Sequence, residues 1–502
     1  MITMENMAPL MFGALVIIML IGFPVAFSLA ALGLFSGFVA ISLGFFPAQY
    51  MANLPFRIFS ILSNDLLLAI PFFTFMGAIL ERCGLAEDLL EGTGQLFGAV
   101  PGGLAYAVIF VGAILGAITG TVAASVIAMG VISLPVMMRY GYNTRLATGV
   151  IAASGTITQV IPPSLVLVVL ADQMGKSVGD MYAGAIGPSI AQTLIFMIYI
   201  FVLSLIKPDY MPPLPPEART LSGWALWKKV LWGMVPSIVL IFLVLGTIFM
   251  GLATPTEAGA MGAVGAMVLA ALHKRLTWPL VRQGMESTAR ITAMVVFILI
   301  GSTVFSLVFQ GVDGGLWIEH MLLSMTGNTQ VGFLIVVNLF IFFLAFFLDF
   351  FEIAFIVIPL LAPVAEKLGI DLIWFGVLLC VNMQTSFMHP PFGFALFYLR
   401  SIAPKEVKSS DIYWGAIPWV FLQLCLVAIL IFWPGMVTSW LDKEKKVDLE
   451  NIKIELPMGD EASDPAKGAE SGEDQSQEEK DNDLSKLFGI PPADPSPADA
   501  KK

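Results

Sequence analysis

The chain has 502 residues, of which 57% are hydrophobic and only 13% charged, and its mean hydropathy is +0.86. Soluble proteins carry about 25% charged residues, so this composition excludes a water-facing surface over most of the chain. The net charge of -11 arises mainly near the C-terminus, because nearly half of the 37 acidic residues lie in 441–502. The remainder is close to neutral and lacks the basic field that would bind nucleic acid.

Long apolar runs separated by short polar intervals predict an all-α polytopic membrane protein, since about 20 apolar residues form one span. The first half, 1–206, has predicted spans at 9–22, 24–46, 66–81 and 181–206, with an amphipathic helix near 85–96. Two further apolar runs are interrupted by small, hydroxyl or proline residues. These are a hairpin at 102–138, broken at 116–125, and a helix at 147–171, broken at 154–164.

The second half, 232–437, repeats this inventory after a proline-rich stretch, 207–231, that is predicted to be a cytoplasmic linker. Its predicted elements are spans at 232–252, 254–272, 291–311 and 413–433, with amphipathic pieces at 278–290 and 314–325. A hairpin at 329–365 is broken at 349–352, and a helix at 372–399 is broken at 384–391. Residues 441–502 are too polar to form a core and are predicted to be disordered.

The halves also correspond in sequence, which indicates an internal duplication. Matching positions are Pro135 with Pro359, Gly141 with Gly369, Pro162-Pro163 with Pro390-Pro391, and Asp180–Ile186 with Asp411–Ile417. Each repeat is predicted to hold five spanning helices plus a re-entrant hairpin with a broken helix. Because five is odd, the two repeats are inverted in the membrane.

The four paired breaks are predicted to form the functional site. Within hydrocarbon, unwound backbone is tolerated only where protein buries it or where it lines a polar cavity. In transporters built from inverted repeats, such breaks present helix N-termini to anions and carbonyl groups to cations. The alternative is that Gly and Pro only kink packed helices.

Polar side chains cluster at these breaks. Asp349 lies in an apolar stretch, where an ionisable group is functional by default, although it could instead reach water at a hairpin tip. His389 either donates to a carboxylate or remains a neutral buried imidazole. Oxygens and amides suited to a small cation or an organic acid come from Thr121, Ser125, Thr156, Gln159, Asn382, Gln384, Thr385 and Ser386. Each of these alone is more often a helix-packing hydrogen bond.

Motifs of other chemistries are missing from the sequence. It contains no P-loop motif, no HExxH and no nucleophile elbow. Its cysteines, Cys83, Cys380 and Cys425, are far apart, which argues against a disulfide framework or a zinc site. We therefore expect a protein that is not an enzyme and has no cofactor or transition metal.

Several stretches resemble the large membrane subunit of tripartite ATP-independent periplasmic (TRAP) transporters, the DctM type. They are Gly155–Ser164, Gly251–Met261, Phe347–Asp349 and His389–Gly393, within a resemblance that covers about 9–437. It implies an elevator-type transporter of the bacterial inner membrane, in which two hairpins and two broken helices move against a scaffold. It also implies sodium-driven uptake, a small four-helix membrane subunit, and a periplasmic protein that delivers an organic acid.

The resemblance also implies roles for individual residues. It assigns one sodium site to Gly120, Thr121, Ser125, Gly155, Thr156 and Pro162. It assigns a second sodium site, near Asp349, to Asn382, Thr385 and Pro390. Ser164 and Asp349 match positions that face the substrate, and we add Gln384 and His389 as further substrate-binding candidates.

The chain departs from the family pattern after Asp349. Phe350-Phe351-Glu352 replaces the small and hydroxyl residues that are usual there. A similar variant occurs in a subgroup associated with mannitol, chloroaromatic acids or 2-oxo acids. The acid could therefore be a 2-oxo acid, a hydroxy acid, a dicarboxylate or an aromatic acid.

Two other functions remain open at this point. One is an autonomous sodium/organic-anion symporter without partner subunits, which co-purification with a four-helix subunit would argue against. The other is a membrane channel or scaffold whose breaks serve packing alone. Saturable, sodium-dependent uptake separates a transporter from that second alternative.

Basic residues predict the orientation of the chain. If the first helix runs from outside to inside, the basic residues before 441 all lie inside except Arg57, Lys176 and Lys367. This distribution satisfies the positive-inside rule. Both termini are then periplasmic.

Thiol labelling tests this topology in a background that lacks the three natural cysteines. Cysteines introduced at Glu5 and Asp460 should react with an impermeant reagent added from the periplasm, because both positions are predicted to lie outside. Cysteines at Lys228 and Lys274 should not react. Labelling of both termini from the cytoplasm would contradict the inverted arrangement.

Overall fold

The computed structural model describes residues 3–119, 121–346, 348–390 and 393–441, and within them every regular element is helical. The first half contains α1 (Met4–Ile21), α2 (Val25–Ser42), α3 (Leu54–Leu62), α4 (Asp65–Arg82), α5 (Leu85–Phe97), α6 (Gly103–Thr119), α7 (Val122–Arg139), α8 (Thr144–Thr156), α9 (Leu165–Gln173) and α10 (Val178–Ile206). The second half contains α11 (Gly223–Phe249), α12 (Pro255–Leu272), α13 (Trp278–Gly311), α14 (Gly314–Thr326), α15 (Gln330–Leu344), α16 (Phe350–Glu352), α17 (Ile358–Lys367), α18 (Leu372–Met383), α19 (Phe394–Ile402), α20 (Ser409–Phe432) and α21 (Gly435–Thr438).

Many of these helices are suited to a membrane. Within the described ranges, seven are long and apolar enough to cross one. The number rises to nine if two bent pairs each form one span. These pairs are α3–α4, bent by 46°, and α14–α15, bent by 112°. The chain is therefore an all-α, multi-pass membrane protein.

The interruptions lie at or next to the predicted breaks, three of which carry small, hydroxyl or proline residues, whereas the fourth carries Asp349 and Glu352. A 3-10 turn at Ile157–Gln159 separates α8 from α9, and another at Gln384–Phe387 follows α18. A π-helical segment at Ile353–Val357 joins α16 to α17. Proline contributes to the first interruption because Pro162 and Pro163 have no N–H for a helical bond.

Both broken helices begin with the same type of N-cap. The Asn143 side chain accepts hydrogen bonds from the N–H groups of Arg145 and Leu146, at 3.0 and 3.3 Å. The Asp371 side chain accepts from the N–H of Trp374 at 2.8 Å. Each cap satisfies N–H groups that the first helical turn leaves unpaired, so the start of each broken helix is fixed locally.

Helix contacts recur reciprocally between the two halves. Helix α2 packs on α13 while α4 packs on α12; α1 packs on α14 while α5 packs on α11; and α8 packs on α20 while α10 packs on α18. Exchanging equivalent elements of the two halves converts each pair into the other. A duplication with a pseudo-two-fold axis would produce this contact pattern. The inverted orientation of the repeats in the membrane remains a prediction.

Glycine allows the closest of these helix crossings. A Cβ at Gly149 of α8 would lie 2.2 Å from the carbonyl oxygen of Gly415 in α20. A Cβ at Gly301 of α13 would lie 2.4 Å from the carbonyl oxygen of Ala26 in α2. Small residues allow such close backbone approach in membrane helices, so α8–α20 and α2–α13 are tightly joined.

One continuous helix replaces two predicted elements. The sequence predicted an amphipathic piece at 278–290 followed by a span at 291–311, whereas α13 runs unbroken from Trp278 to Gly311. The change from an amphipathic to an apolar pattern marks a change in surroundings. It does not interrupt the backbone hydrogen bonds, because no proline lies beyond the first turn.

The linker between the halves is shorter than predicted and is held in place. Helix α11 already begins at Gly223, so the linker comprises 207–222. The carbonyl oxygen of Met211 accepts from the N–H of Gly102 at 2.9 Å, and that of Tyr210 accepts from Asn143 at 2.8 Å. These bonds fasten the linker to the turns before α6 and α8.

The predicted disorder of 441–502 concerns residues that, except for 441, lie outside the described ranges.

Candidate functional site

Residues from all four predicted breaks meet at one cavity of about 200 Å³. It is lined by Thr121, Val122, Ala123, Gln159, Leu165, Val166, Ile291, Met294, Asp349, Phe350, Phe351, Phe387 and Tyr398. Most of these residues belong to the two hairpin tips and the two broken helices. Ile291 and Met294 come instead from α13, so this long helix forms one wall of the cavity.

Three helices begin at the cavity wall. The first residues of α7, α9 and α16 all line it, from Val122, Leu165 and Phe350 onward. N–H groups in a first helical turn have no intrahelical partner, and the helix dipole gives that end a partial positive charge. Helices α7 and α9, with 18 and 9 residues, therefore present two starts suited to an anion.

Ser164 positions one of these helix starts. Its hydroxyl accepts from the N–H of Val166 at 3.2 Å and donates to the carbonyl oxygen of Gln159. The side chain is fully buried and does not line the cavity. Ser164 was predicted to face the substrate, whereas the structure places it behind the start of α9 as its N-cap.

Asp349 lines the cavity and also begins α16. Its carboxylate accepts from the N–H of Glu352 at 3.0 Å, and the Glu352 carboxylate accepts from the N–H of Asp349 at 2.9 Å. This reciprocal arrangement is a capping box. Because of this capping box, the Asp349 carboxylate has a structural role in addition to facing the cavity. It has no cationic neighbour in the cavity wall, since none of the described lining residues is Lys, Arg or His.

Gln384 lies in a buried amide network and does not line the cavity. Its Oε1 accepts from Nε2 of Gln192 at 2.6 Å and from Nε2 of Gln423 at 3.2 Å. Nε2 of Gln423 also lies 3.4 Å from Oγ1 of Thr156. The network joins the two broken helices to α10 and α20, so the geometry gives Gln384 a role in packing.

The repeat relates the two glutamines that bind Gln384. Gln192 follows Asp180 by twelve residues, and Gln423 follows Asp411 by the same interval. Sequence analysis missed both because a glutamine in a largely apolar helix does not indicate which distant side chain it will meet. Alignment of the two halves beyond Asp180–Ile186 would have found them. Tyr398 of the cavity wall was also missed, since nothing in the pattern of α19 distinguishes it.

His389 is enclosed by aromatic rings. It is 2% exposed, and its ring centroid lies 4.2 Å from that of Phe342 and 4.3 Å from that of Phe346. Neither ring nitrogen has a hydrogen-bond partner among the described residues, and His389 does not line the cavity. The geometry therefore resembles the neutral, buried alternative more closely than the carboxylate donor.

The first predicted sodium site combines closely packed segments. A Cβ at Gly155 would lie 2.2 Å from Cγ2 of Val126, so the break touches α7 next to the buried Ser125. Oγ1 of Thr156 donates to the carbonyl oxygen of Ala153 at 2.9 Å. Three more residues were assigned to this sodium site. Thr121 lines the cavity, Pro162 lies in the turn before α9, and Gly120 lies outside the described residues.

The second predicted sodium site has unpaired oxygens. Nδ2 of Asn382 donates to the carbonyl oxygen of Asn338 at 2.8 Å, while Oδ1 of both asparagines lacks a partner among the described residues. Oγ1 of Thr385 donates to the carbonyl oxygen of Asn382 at 2.6 Å, and Pro390 follows this turn. Buried, unpaired oxygens fit a hard monovalent cation. Within the described ranges, no group of three His, Cys, Asp or Glu residues could hold another metal.

Replacement of Gln384 by leucine tests the amide network. It should lower the free energy of unfolding by about 1–3 kcal/mol, because Gln192 and Gln423 lose their acceptor in a buried site. Thermal unfolding in detergent measures the change. Gln330→Leu is a matched control, since Gln330 is exposed and donates one bond of 2.8 Å to Leu368. Equal unfolding of Gln384→Leu and wild type would show that the network is dispensable.

Comparison with known proteins identifies the family. Residues 12–436 match the family described as tripartite ATP-independent periplasmic transporter, DctM component. The Pseudomonas aeruginosa C4-dicarboxylate TRAP transporter large permease protein DctM is 29% identical, over 80% of this chain and 93% of that protein. The Oleidesulfovibrio alaskensis isethionate TRAP transporter permease protein DctMQ is 28% identical, over 85% of this chain and 65% of that protein.

A solved structure shows a related fold. The YdaH transporter of Alcanivorax borkumensis aligns over 76% of this chain and 87% of its own, with a TM-score of 0.54 and 16% identity. The likeness concerns the fold, and it agrees with the all-α membrane architecture described above. The chain belongs to the DctM family of TRAP transporter large permease subunits and is a transport protein, not an enzyme.

Proposed function

We propose that this permease subunit takes up a small organic acid across the bacterial inner membrane, driven by sodium. The observation that carries the proposal is the convergence of the α7 and α9 starts on a cavity bordered by interrupted helices. Helix starts attract the carboxylate of an acid. The unpaired oxygens of Asn338 and Asn382 support a cation site beside it.

The arrangement of the cavity wall supports an elevator movement. Hairpin tips and broken helices form most of the wall, and α13 forms the remainder. Helix α13 is packed tightly on α2, as the close approach of Gly301 to Ala26 illustrates. We propose that α2, α4, α12 and α13 belong to the scaffold. The hairpins and broken helices then carry acid and sodium past α13 as one body.

The relatives support two partner proteins. The name of the family describes a tripartite periplasmic transporter, which fits a periplasmic binding protein that delivers the acid. The DctMQ relative extends well beyond the aligned region, which leaves room for a small four-helix membrane subunit fused to the permease. Both termini of the chain would face the periplasm, as the basic residues predict.

Loss of the hydroxyl at either break should weaken sodium coupling. Thr156→Ala and Thr385→Ala should each raise the sodium concentration for half-maximal uptake, since each removes an oxygen from a predicted cation site. Uptake is measured in vesicles that contain the permease and its partner proteins. Thr148→Ala is the control, because the Thr148 hydroxyl makes a similar bond of 2.9 Å to Thr144 within α8, away from the break.

Two outcomes would contradict sodium coupling. One is uptake of equal rate when potassium or a pH gradient replaces sodium. The other is an unchanged sodium dependence in both threonine variants while uptake remains saturable. Thr156→Ser, which keeps the hydroxyl, should restore the sodium dependence of the wild type.

The charge of Asp349 should be needed for transport but not for folding. Asparagine is as good an N-cap as aspartate, so Asp349→Asn keeps the start of α16 and removes only the negative charge. The variant should reach the membrane in normal amount and fail to take up acid. Asp349→Ala should in addition lose about 1 kcal/mol of stability with the cap.

Asp371→Asn provides the matched control. Asp371 is also an N-cap, with a 2.8 Å bond from the N–H of Trp374, and it does not line the cavity. This variant should transport like wild type. Near-normal uptake by well-expressed Asp349→Asn would show that the charge is incidental to transport.

A further inference from the structure

The cavity has a polar end and an aromatic end. Thr121, Gln159 and the starts of α7 and α9 form the polar end. Gln159 is 3% exposed, and its Oε1 has no partner among the described residues, so it can accept a hydrogen bond from a ligand hydroxyl or contact a sodium ion beside the ligand carboxylate. Aromatic rings supply much of the remaining wall, namely Phe350, Phe351, Phe387 and Tyr398.

Charge is distributed unevenly around this cavity. Asp349 is the one formally charged residue among the described lining residues. Its capping-box partner, Glu352, places a second carboxylate beside it. Among the described lining residues, an anionic ligand therefore finds partial positive charge only at the helix starts. A second negative group on the ligand would meet phenylalanine rings and the carboxyl group of Asp349, and none of these compensates its charge.

We infer that the cavity binds an acid with one carboxylate and an apolar body, and that it discriminates against dicarboxylates. The carboxylate lies at the starts of α7 and α9, and the apolar body lies against Phe350, Phe351 and Tyr398. The inference rests on the proposed function, because it specifies which acids the same site accepts. A second carboxylate buried without a counter-charge weakens binding, because nothing compensates the loss of its hydration.

Two arginine side chains border a separate cavity next to α13. A cavity of about 300 Å³ is lined by Arg82, Gln283, Glu286, Ser287, Arg290 and Ile291, and it shares only Ile291 with the first. Arg82 is already engaged, since its Nη1 donates to Ala78 and its Nη2 to Ser287, both at 3.1 Å. Arg82 and Arg290 belong to α4 and α13. In the proposed elevator these helices stay behind, so neither arginine travels with the ligand.

Binding to the purified permease with its small membrane subunit tests the inference without the periplasmic protein. Titration calorimetry in sodium buffer compares acids that differ by one carboxylate, butyrate with succinate and phenylacetate with 4-carboxyphenylacetate. We expect the monocarboxylate of each pair to bind at least about tenfold more tightly. Equal or tighter binding of the dicarboxylates would overturn the inference.

Neutralisation of Glu352 tests the cause of the discrimination. Glutamine can replace glutamate in a capping box, so Glu352→Gln should keep the hairpin tip and reduce the preference by at least about threefold. Glu257→Gln is the matched control, because Thr254 and Glu257 form a capping box at the start of α12, outside the cavity. An unchanged preference in Glu352→Gln would contradict exclusion by the acidic pair.

A variant of Phe351 tests whether the aromatic end of the cavity contacts the apolar body of the acid. Phe351→Ser should weaken binding of phenylacetate at least about fivefold, since the ring loses an apolar contact. Phe343→Ser, at an exposed position of α15, should not weaken it.

If succinate binds tightly and Arg290→Gln abolishes that binding, the second carboxylate reaches the neighbouring cavity and the inference is wrong. Failure of every acid to bind in sodium would instead contradict the proposed function.

Discussion

Backbone polar groups in a bilayer find no water, so each interruption of a helix must be compensated by protein, by an ion or by a ligand. An unpaired buried polar group costs several kcal/mol. This chain interrupts its helices at four places, and residues from all four line one cavity. Some of the exposed groups are capped internally, as by Ser164 and Asp349. The others are available to what the cavity binds.

Internal compensation explains why the broken helices form a well-defined body. The amide of Gln384 accepts from both Gln192 and Gln423, which lie at equivalent positions of the two repeats. Without it, the Gln192 amide would lose its acceptor and that of Gln423 would keep only the 3.4 Å contact with Thr156. The duplication thus supplies one glutamine from each half to the same acceptor. Through Gln384 and Thr156 this contact links both broken helices to α10 and α20.

Much of this architecture could be predicted from the sequence, because particular residue types mark the places where a membrane helix is interrupted. Glycine, proline and hydroxyl residues within long apolar runs predicted three of the breaks, Asp349 and Glu352 predicted the fourth, and matching Pro-Pro pairs predicted the duplication. Side-chain direction at the breaks was not accessible. Helical periodicity is lost in the 3-10 turns at 157–159 and 384–387, so no pattern told which residues face the cavity. Gln384 and His389 were for this reason predicted as substrate ligands, although neither lines it.

Long-range pairing was the other limit of the sequence. Gln192 and Gln423 acquire their role only when α10 and α20 meet the broken helices, and a glutamine in a largely apolar helix does not reveal its partner. The reverse holds for Asp349, whose capping box with Glu352 is local and follows a recognisable spacing. Local hydrogen bonds were thus predictable in principle, whereas contacts between distant helices needed the fold.

The central claim is that the hairpins and broken helices carry the binding site past α13. Reversible cross-linking of a hairpin tip to α13 tests this claim most directly. Phe351 and Met294 line the same cavity, one from the hairpin tip and the other from α13, and α16 packs against α13. Cysteines at both positions, joined by a short reducible thiol reagent, should abolish uptake, and reduction should restore it. Met294→Cys alone should transport before and after treatment, and Phe351→Cys alone, which alters the binding site, sets the uptake that reduction should restore. Full uptake by the cross-linked protein would show that the site does not move past α13, and it would contradict this account.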